Sequence, residues 1–336
     1  MKKKISIVVP CFNAQETIEK CISALLEQDY SEGYEIVMVD DGSTDDAAKI
    51  IKKCKKIKYI FQKNAGPAKA RNNGWKKAAG DIVVFTDSDC VPEKDWLKEM
   101  IKPFATNFKI GAVGGAYNKT INSNSLLANL IGEEIKFRYR NIGKYTDAHG
   151  SYSLAVRREV LKKVGGFDES YPVATAEDWD LCYKIIKVGY KIYFNKAAKV
   201  GHHHPTSLIK YLKTQFRHGY YRMKLYRDNP SKASGDKYSG NAKYVVCCSG
   251  FSLFFLILSI FYRPLMLSFL ILFFALLILN SKLFFYLYKK YGFMFALKDL
   301  CLQILRGFAW LFGMSKWILK ILFYKGESLK IEKMVI

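Results

Sequence analysis

The sequence predicts an α/β domain, built on a mostly parallel sheet with helices on both faces, followed by a transmembrane hairpin and an amphipathic helix. Three observations lead there. Strand-like and helix-like segments alternate over the first hundred residues, the loops that follow the strands are polar, and two uncharged runs of 17 residues stand back to back after residue 244.

Lys4–Pro10 is a β-branched run ended by proline, and from Asn13 the spacing of Ile18, Ile22, Leu25 and Leu26 marks one face of a helix. The unit repeats as strand Glu35–Val39 with helix Asp45–Cys54, strand Lys58–Phe61 with helix Ala68–Ala79, and strand Asp81–Thr86 with helix Glu93–Phe104. Such alternation demands crossover connections and hence a parallel sheet. From Gly111 to Asn195 the pattern is mixed, with short strand-like runs and loops, and a helix is expected over Asp178–Val188. Ser207–Arg227 reads as a basic amphipathic helix, and Asp228–Lys243, rich in Ser, Gly, Asn and Lys, as a connection. The domains expected are 1–206 catalytic, 207–244 juxtamembrane, 245–281 a hairpin of two spans and 291–325 an interfacial or third membrane helix.

Val245–Phe261 and Leu265–Ser281 are the two uncharged runs, each at the short end of what crosses a bilayer, and Arg263-Pro264 supplies the turn. In Tyr291–Tyr324 the residues Lys298, Arg306, Lys316 and Lys320 share an arc with Trp310 and Trp317, as in a helix lying in the membrane interface. Met1-Lys-Lys-Lys and the short run after it do not suit a signal peptide. The expected location is therefore a multi-pass membrane protein whose catalytic domain stays cytoplasmic.

The formal net charge of +23 is unevenly spread: +5 over residues 1–190, +10 over 191–244 and +8 over 245–336. Half the residues are hydrophobic, which excludes a disordered chain. Because the excess borders the apolar runs, anionic lipid headgroups are its expected partner and no nucleic acid is expected. A basic nucleic-acid- or membrane-binding module without catalysis is the contrasting class, resting on the aromatics Tyr211, Phe216, Tyr220, Tyr221 and Tyr226 among those charges. The eight cysteines lack CxxC or metal-finger spacing and read as free, mostly buried thiols.

Ligands of parallel α/β sheets bind beyond the carboxyl ends of the strands, so those loops carry the candidate chemistry. They hold Pro10-Cys11-Phe12-Asn13, then Asp40 to Asp45, then Asn64-Ala65-Gly66, then Asp87-Ser88-Asp89. Two carboxylates in a DxD triplet suit a hard cation shared with phosphate oxygens, although the triplet alone also fits a solvated turn. Glu177-Asp178-Trp179-Asp180 opens a helix, where acids serve either the helix dipole or a base beside a cleft. His202-His203-His204 offers imidazole to complete a metal site. Arg71, early in a helix, suits a phosphate, a base edge or a surface ion pair.

In order, IVVPCFNAQETIEKCISALLEQ, VDDGSTD, NAGPAKARNNG, DIVVFTDSDC, VRREVLKKVGGFDE, AEDWDL and GHHHPTSL resemble the family 2 glycosyltransferases, inverting enzymes of the Rossmann-like GT-A fold. The resemblance runs from about Ile5 to Arg222. It implies that Pro10, Phe12, Asn13 and Asp40 hold the nucleotide, with Asp41 and Ser88 in the same nucleotide-sugar set, and that Arg71 reaches the nucleotide. Phe12 stands where a tyrosine is commoner. Asp87 and Asp89 match the DxD pair, with Asp89 the direct contact of a divalent Mg or Mn. Asp178 matches the catalytic base and Glu177 its supporting neighbour, and His202 or His204 matches a further metal ligand.

The reaction implied is transfer of a single sugar from a UDP- or GDP-sugar to a hydroxyl of a lipid-linked or surface-glycan acceptor, by one in-line displacement that inverts the anomeric centre. The carboxyl-terminal part resembles membrane-attached members that build exopolysaccharide or surface glycans. Gln215-Phe216-Arg217 does not match the QxxRW of processive synthases. DSDCVPEKDW is an imperfect form of the DADxxxxP of polyprenyl-phosphate sugar synthases, which remain the alternative. A nucleotidyltransferase would need a Gly-rich basic loop where Pro10–Asn13 stands.

Overall fold

The structure, a computed structural model, describes residues 4–233 and 242–323. The amino-terminal lysines, most of the expected connection after Asp228 and the last residues of the expected interfacial helix lie outside the described residues. The chain divides into two compact units. Among the described residues, the first comprises those up to Asn122 together with Asn141–His203, and the second comprises Ser123–Arg140 and those from His204 to Phe323.

The first unit opens with β1 (Ile5–Cys11), α1 (Ile18–Leu26), β2 (Glu35–Asp40), α2 (Ala47–Lys53), β3 (Ile57–Phe61), α3 (Pro67–Lys77) and β4 (Ile82–Thr86). These four strands pair in the order β3-β2-β1-β4, all parallel. Alternation along β1 decides the layering, because successive side chains leave opposite faces of a strand. Ile5, Ile7, Val9 and Cys11 pack with α1 and α2, whereas Val8 packs on the other side with Ala68, Ala70 and Trp75 of α3. Each fully buried aliphatic side chain in these layers contributes about 1.5–3 kcal/mol. The strand order reverses beside β1, which opens a crevice at the carboxyl ends of β1 and β4.

The unit continues with β5 (Cys90–Pro92), α4 (Trp96–Ile101) and a 3-10 turn, then β6 (Ile110–Thr120). The second unit contributes α5 (Leu126–Arg140) before the first resumes with β7 (Tyr145–Thr146), β8 (Ser153–Arg157), α6 (Arg158–Val164), α7 (Glu177–Lys187) and β9 (Lys191–His202). The whole sheet runs β3-β2-β1-β4-β8-β6-β9-β5, with β7 beside β9. The expectation of a mostly parallel sheet needs correction beyond β4: β8 is antiparallel to both β4 and β6, β5 and β7 are antiparallel to β9, and only β6 with β9 adds a further parallel pair. The antiparallel partners are not consecutive strands: β5, β6 and β7 lie between β4 and β8 in the chain, and β6, β7 and β8 between β5 and β9.

The second unit is helical: α5, then α8 (Leu208–Asp228), α9 (Ala242–Leu258), α10 (Leu265–Tyr291) and α11 (Phe293–Phe323). Ser207 caps α8 through its side chain. Backbone approaches are close where glycine allows them. A Cβ on Gly219 of α8 would lie 2.3 Å from the Trp310 carbonyl oxygen, and one on Gly313 of α11 would lie 2.1 Å from that of Phe216. Glu133 of α5 pairs with Lys290 at 2.8 Å and Glu134 with Arg306 at 3.2 Å.

Among the described residues, one helix, α10 with 27 residues, is long and apolar enough to cross a membrane; α9 is shorter. The expected pair of equal spans thus becomes one of full length and one short apolar helix, and Lys282 does not end α10 as the sequence suggested. The arc expected to face outward on α11 is divided: Lys298, Lys316 and Lys320 are exposed, but Arg306 is drawn to Glu134 and Trp310 donates to Gln215 at 2.9 Å.

Candidate active site

The loops after β1 and β2 are laced together by side chains that copy backbone partners. Asn13 takes the left-handed conformation (φ 48°) and its Oδ1 accepts from the Thr44 amide at 2.8 Å, while the Asn13 amide donates to Ser43 Oγ at 3.0 Å. Asparagine tolerates that conformation because its short polar chain bonds locally. Pro10 is buried at the end of β1, and Phe12 projects from the loop with half its surface exposed.

Asp40 and Asp41 are both buried. Asp40 accepts from the Ser43 amide at 2.8 Å and from the Tyr59 hydroxyl at 2.6 Å. Asp41 accepts from Gln62 at 2.7 Å and from the amides of Ala65 at 2.8 Å and Gly66 at 2.9 Å. Burial pushes the Asp41 carboxyl above its ordinary range, against the pull of those three donors. The two acids therefore brace the β2 and β3 loops. Gly66 starts α3 at φ 92°, and a Cβ there would stand 2.5 Å from the carbonyl oxygen of Pro172.

From α3 the Arg71 guanidinium, buried, reaches two acids. It binds Asp87 at 2.8 Å and Glu177 at 2.9 Å, tying the DxD loop to the start of α7. Burial would lower its proton affinity, but the charges of Asp87 and Glu177 outweigh that and raise it. Asn72 beside it accepts from the Phe167 amide at 3.0 Å and donates to the Phe167 carbonyl at 2.9 Å, which docks the Gly165–Glu169 loop on the same helix. This Asn72 contact, which the sequence did not single out, follows from its place one residue after Arg71.

Glu177, buried, takes the Thr175 amide at 2.7 Å on its other oxygen. Asp178 remains partly open to solvent and accepts from the Ser151 amide at 3.2 Å and the Trp179 amide at 2.9 Å. Its carboxyl is pushed up to about 8, first by desolvation and then by the Glu177 charge, with Arg71 pulling the other way. The helix dipole expected to favour its charge is outweighed. Gly150, next to the Ser151 donor, has no room for a side chain, since a Cβ would meet the Tyr152 ring at 2.8 Å.

Asp87 and Ser88 are partly exposed, and Asp89 sits beside β5 and the end of β9. His202 Nε2 lies 3.4 Å from Asp89 Oδ1, and its Nδ1 contacts the His203 carbonyl at 2.7 Å. Donor atoms of Asp89, Cys90 and His202 all lie within 4.8 Å of one another. Carboxylate and imidazole together suit a divalent cation that also takes phosphate oxygens, so the residues present fit Mg or Mn. The structure brings together Arg71, Asp87, Glu177 and Asp178, and places the His202 ring against the Asp89 carboxylate, while the His203 amide donates to the Asp89 carbonyl at 3.0 Å. His204 is buried in the second unit. The sequence did not foresee Cys90, whose only signal was its position directly after Asp89.

Residues 6–165 match the family described as Glycosyl transferase family 2. The chain is 30% identical over 211 residues to "Probable glycosyltransferase YdaM" of Bacillus subtilis (strain 168), covering 58% of this chain and 49% of that one. It is 28% identical over 236 residues to "Dolichyl N-acetyl-alpha-D-glucosaminyl phosphate 3-beta-D-2,3-diacetamido-2,3-dideoxy-beta-D-glucuronosyltransferase" of Methanococcus voltae, covering 64% and 71%. It therefore spans about half of the first relative and more of the second. Among solved structures, "Mannosyltransferase PcManGT from Pyrobaculum calidifontis in complex with GDP-Man and Mn2+" aligns with a TM-score of 0.52 and 23% identity over 67% of this chain and 65% of that one, a likeness of fold.

Proposed function

We propose, from the premise that this chain carries a glycosyl transferase family 2 domain over residues 6–165 and is a glycosyltransferase, that it inverts the anomeric centre while moving one sugar from a UDP- or GDP-sugar to a hydroxyl of a membrane-associated acceptor. The observation that carries this reading is the Arg71 bridge. It gives Asp87 and Glu177 a shared counter-charge, while Asp178 beside them keeps a raised proton affinity and an open side.

A base that must take a proton from a hydroxyl works best with a proton affinity near the working pH. Asp178 has it, and the Ser151 amide fixes the carboxylate's orientation. Glu177 positions the base through its charge and does not touch substrate. Phe12, Asn13 and the Asp40-Asp41 loops frame the nucleotide, and Asp41 keeps the backbone of Ala65 and Gly66 in place at the entrance to α3. Asp89 and His202, with Asp87, would hold the divalent cation. Bound there, Mg or Mn supplies positive charge to the donor diphosphate and to the leaving group. The relative from Methanococcus voltae, by its name a transferase acting on a dolichyl-linked sugar phosphate, supports a hydroxyl on a lipid-linked acceptor over a bare lipid phosphate. The same name and the apolar α10 support membrane attachment, with the positive flanks against anionic lipid.

The test is a thermal-shift panel of nucleotide sugars with Mg or Mn, followed by transfer to lipid-linked acceptors. Asp178→Asn should lose transfer by a factor of about 10²–10⁴ while still binding the donor. Transfer at the wild-type rate by that variant would remove Asp178 from the base role.

A further inference from the structure

The geometry points to a third donor in the candidate cation site: the Cys90 thiolate, which makes the site a trap for thiophilic divalent metals such as Zn2+ or Cd2+. The inference rests on the reading of Asp89 and His202 as cation ligands and extends it to a different class of ion.

Three facts carry it. Cys90 and His202 are direct partners in the antiparallel β5–β9 ladder, so the backbone sets their side chains in one register. Cys90 Sγ lies 3.8 Å from Asp89 Oδ1, and that same oxygen lies 3.4 Å from His202 Nε2. Tetrahedral zinc with bonds of about 2.3 Å to sulfur and about 2.0 Å to nitrogen and oxygen spaces its ligands about 3.3–3.6 Å apart. Two of the three donor pairs stand near those spacings, and the third lies within 4.8 Å.

Chemistry separates the two ion classes. Mg and Mn are satisfied by carboxylate, imidazole, water and phosphate and gain little from a thiolate, whereas zinc and cadmium bind sulfur strongly. A hard cation would then leave the Cys90 thiol as it is, buried beneath the site. A soft one would bind its sulfur, with the thiol proton passing to solvent, and would add a ligand that the donor diphosphate does not provide. Zinc bound by three protein ligands keeps its fourth position for water or a donor oxygen. Thiophilic ions should thus bind in the absence of nucleotide sugar and exclude the Mn-dependent reaction.

The experiment uses Co2+ as a spectroscopic substitute for zinc, added to the full chain in detergent. A near-ultraviolet charge-transfer band from thiolate to cobalt is expected in the wild type and in Cys21→Ser, and its loss in Cys90→Ser. Zinc affinity should fall about tenfold or more in Cys90→Ser, with Mn2+ affinity, read by electron paramagnetic resonance, changed less than about twofold. Cys90→Ala, which cannot offer an oxygen donor, should behave alike. Absence of the band in the wild type, or its persistence in Cys90→Ser, would overturn the thiolate assignment. His202→Ala should weaken both cobalt and Mn2+; if Mn2+ binding is unchanged there while the cobalt band is lost, the thiophilic site stands and the assignment of His202 to the Mn site fails instead.

Discussion

At the scale of single residues, the site is governed by one buried cation serving two acids. Replacing Arg71 with Met leaves Asp87 and Glu177 without a counter-charge, and breaking a buried pair in this way costs about 3–5 kcal/mol. Urea unfolding at neutral pH should show that loss. Arg71→Lys keeps the charge but not the two-pronged reach, and should fall between the wild type and Arg71→Met. The raised Asp178 carboxyl gives a pH signature. Between its ordinary value near 4 and about 8 the folded protein holds a proton that the unfolded chain releases, so folding stability declines as pH rises through that window. Asp178→Asn should therefore match the wild type in thermal midpoint at pH 4 and exceed it at pH 8.5. Activity has the opposite slope: kcat/KM should climb with pH through an apparent value near 8, because only the ionised form accepts a proton. The sequence displayed these residues but not their pairings, since Arg71 and Glu177 are far apart in the chain and either could have been a surface residue.

At the scale of elements, α3 is the piece that joins the fold to the site. Its Gly74 faces β1 so closely that a Cβ would lie 2.4 Å from Val8 Cγ1. Gly74→Ala should cost about 1–3 kcal/mol by overpacking and weaken donor binding, since Arg71 and Asn72 ride on the displaced helix. In the helical unit, Gly313→Leu should push α8 off α11, seen as faster proteolysis within α8, whereas Leu at the exposed Lys320 should not. Strands β1 to β4 and their helices were legible because each alternates or repeats at one period in a short window. The helix α5 was not, although Leu127, Leu130 and Ile131 recur at helical spacing in hindsight. Its short apolar face is shared with α8 and α11 partners more than 70 residues away in the chain, among them Tyr211 and Leu302. Strands β6, β8 and β9 were blurred for a similar reason, because their direction is set by neighbours and not by local pattern.

At the scale of the whole molecule, charge and apolarity placed the long apolar helix in the second half of the chain, but composition could not decide helix length. A chain ending at residue 206 should appear in the soluble fraction. One ending at residue 244 keeps α8 while removing α11, so the apolar side of α8 that α11 covers is left open and residual membrane attachment is expected, weakened by salt. Recovery of both chains in the soluble fraction at low salt would count against α8 as a membrane contact.

The placement of β9 also dictates the order in which a growing chain can become competent. It is the last strand to be made, yet it lies between β6 and β5, and β5 has no other sheet partner among the described residues. A nascent chain that has reached residue 165 holds the strand-end loops proposed to frame the donor but neither Asp178 nor the strand that brings His202 to Asp89. Until the chain has been made through residue 202, the Asp89–His202 pair cannot form, and the proposed transfer site is incomplete until the final strand joins the sheet.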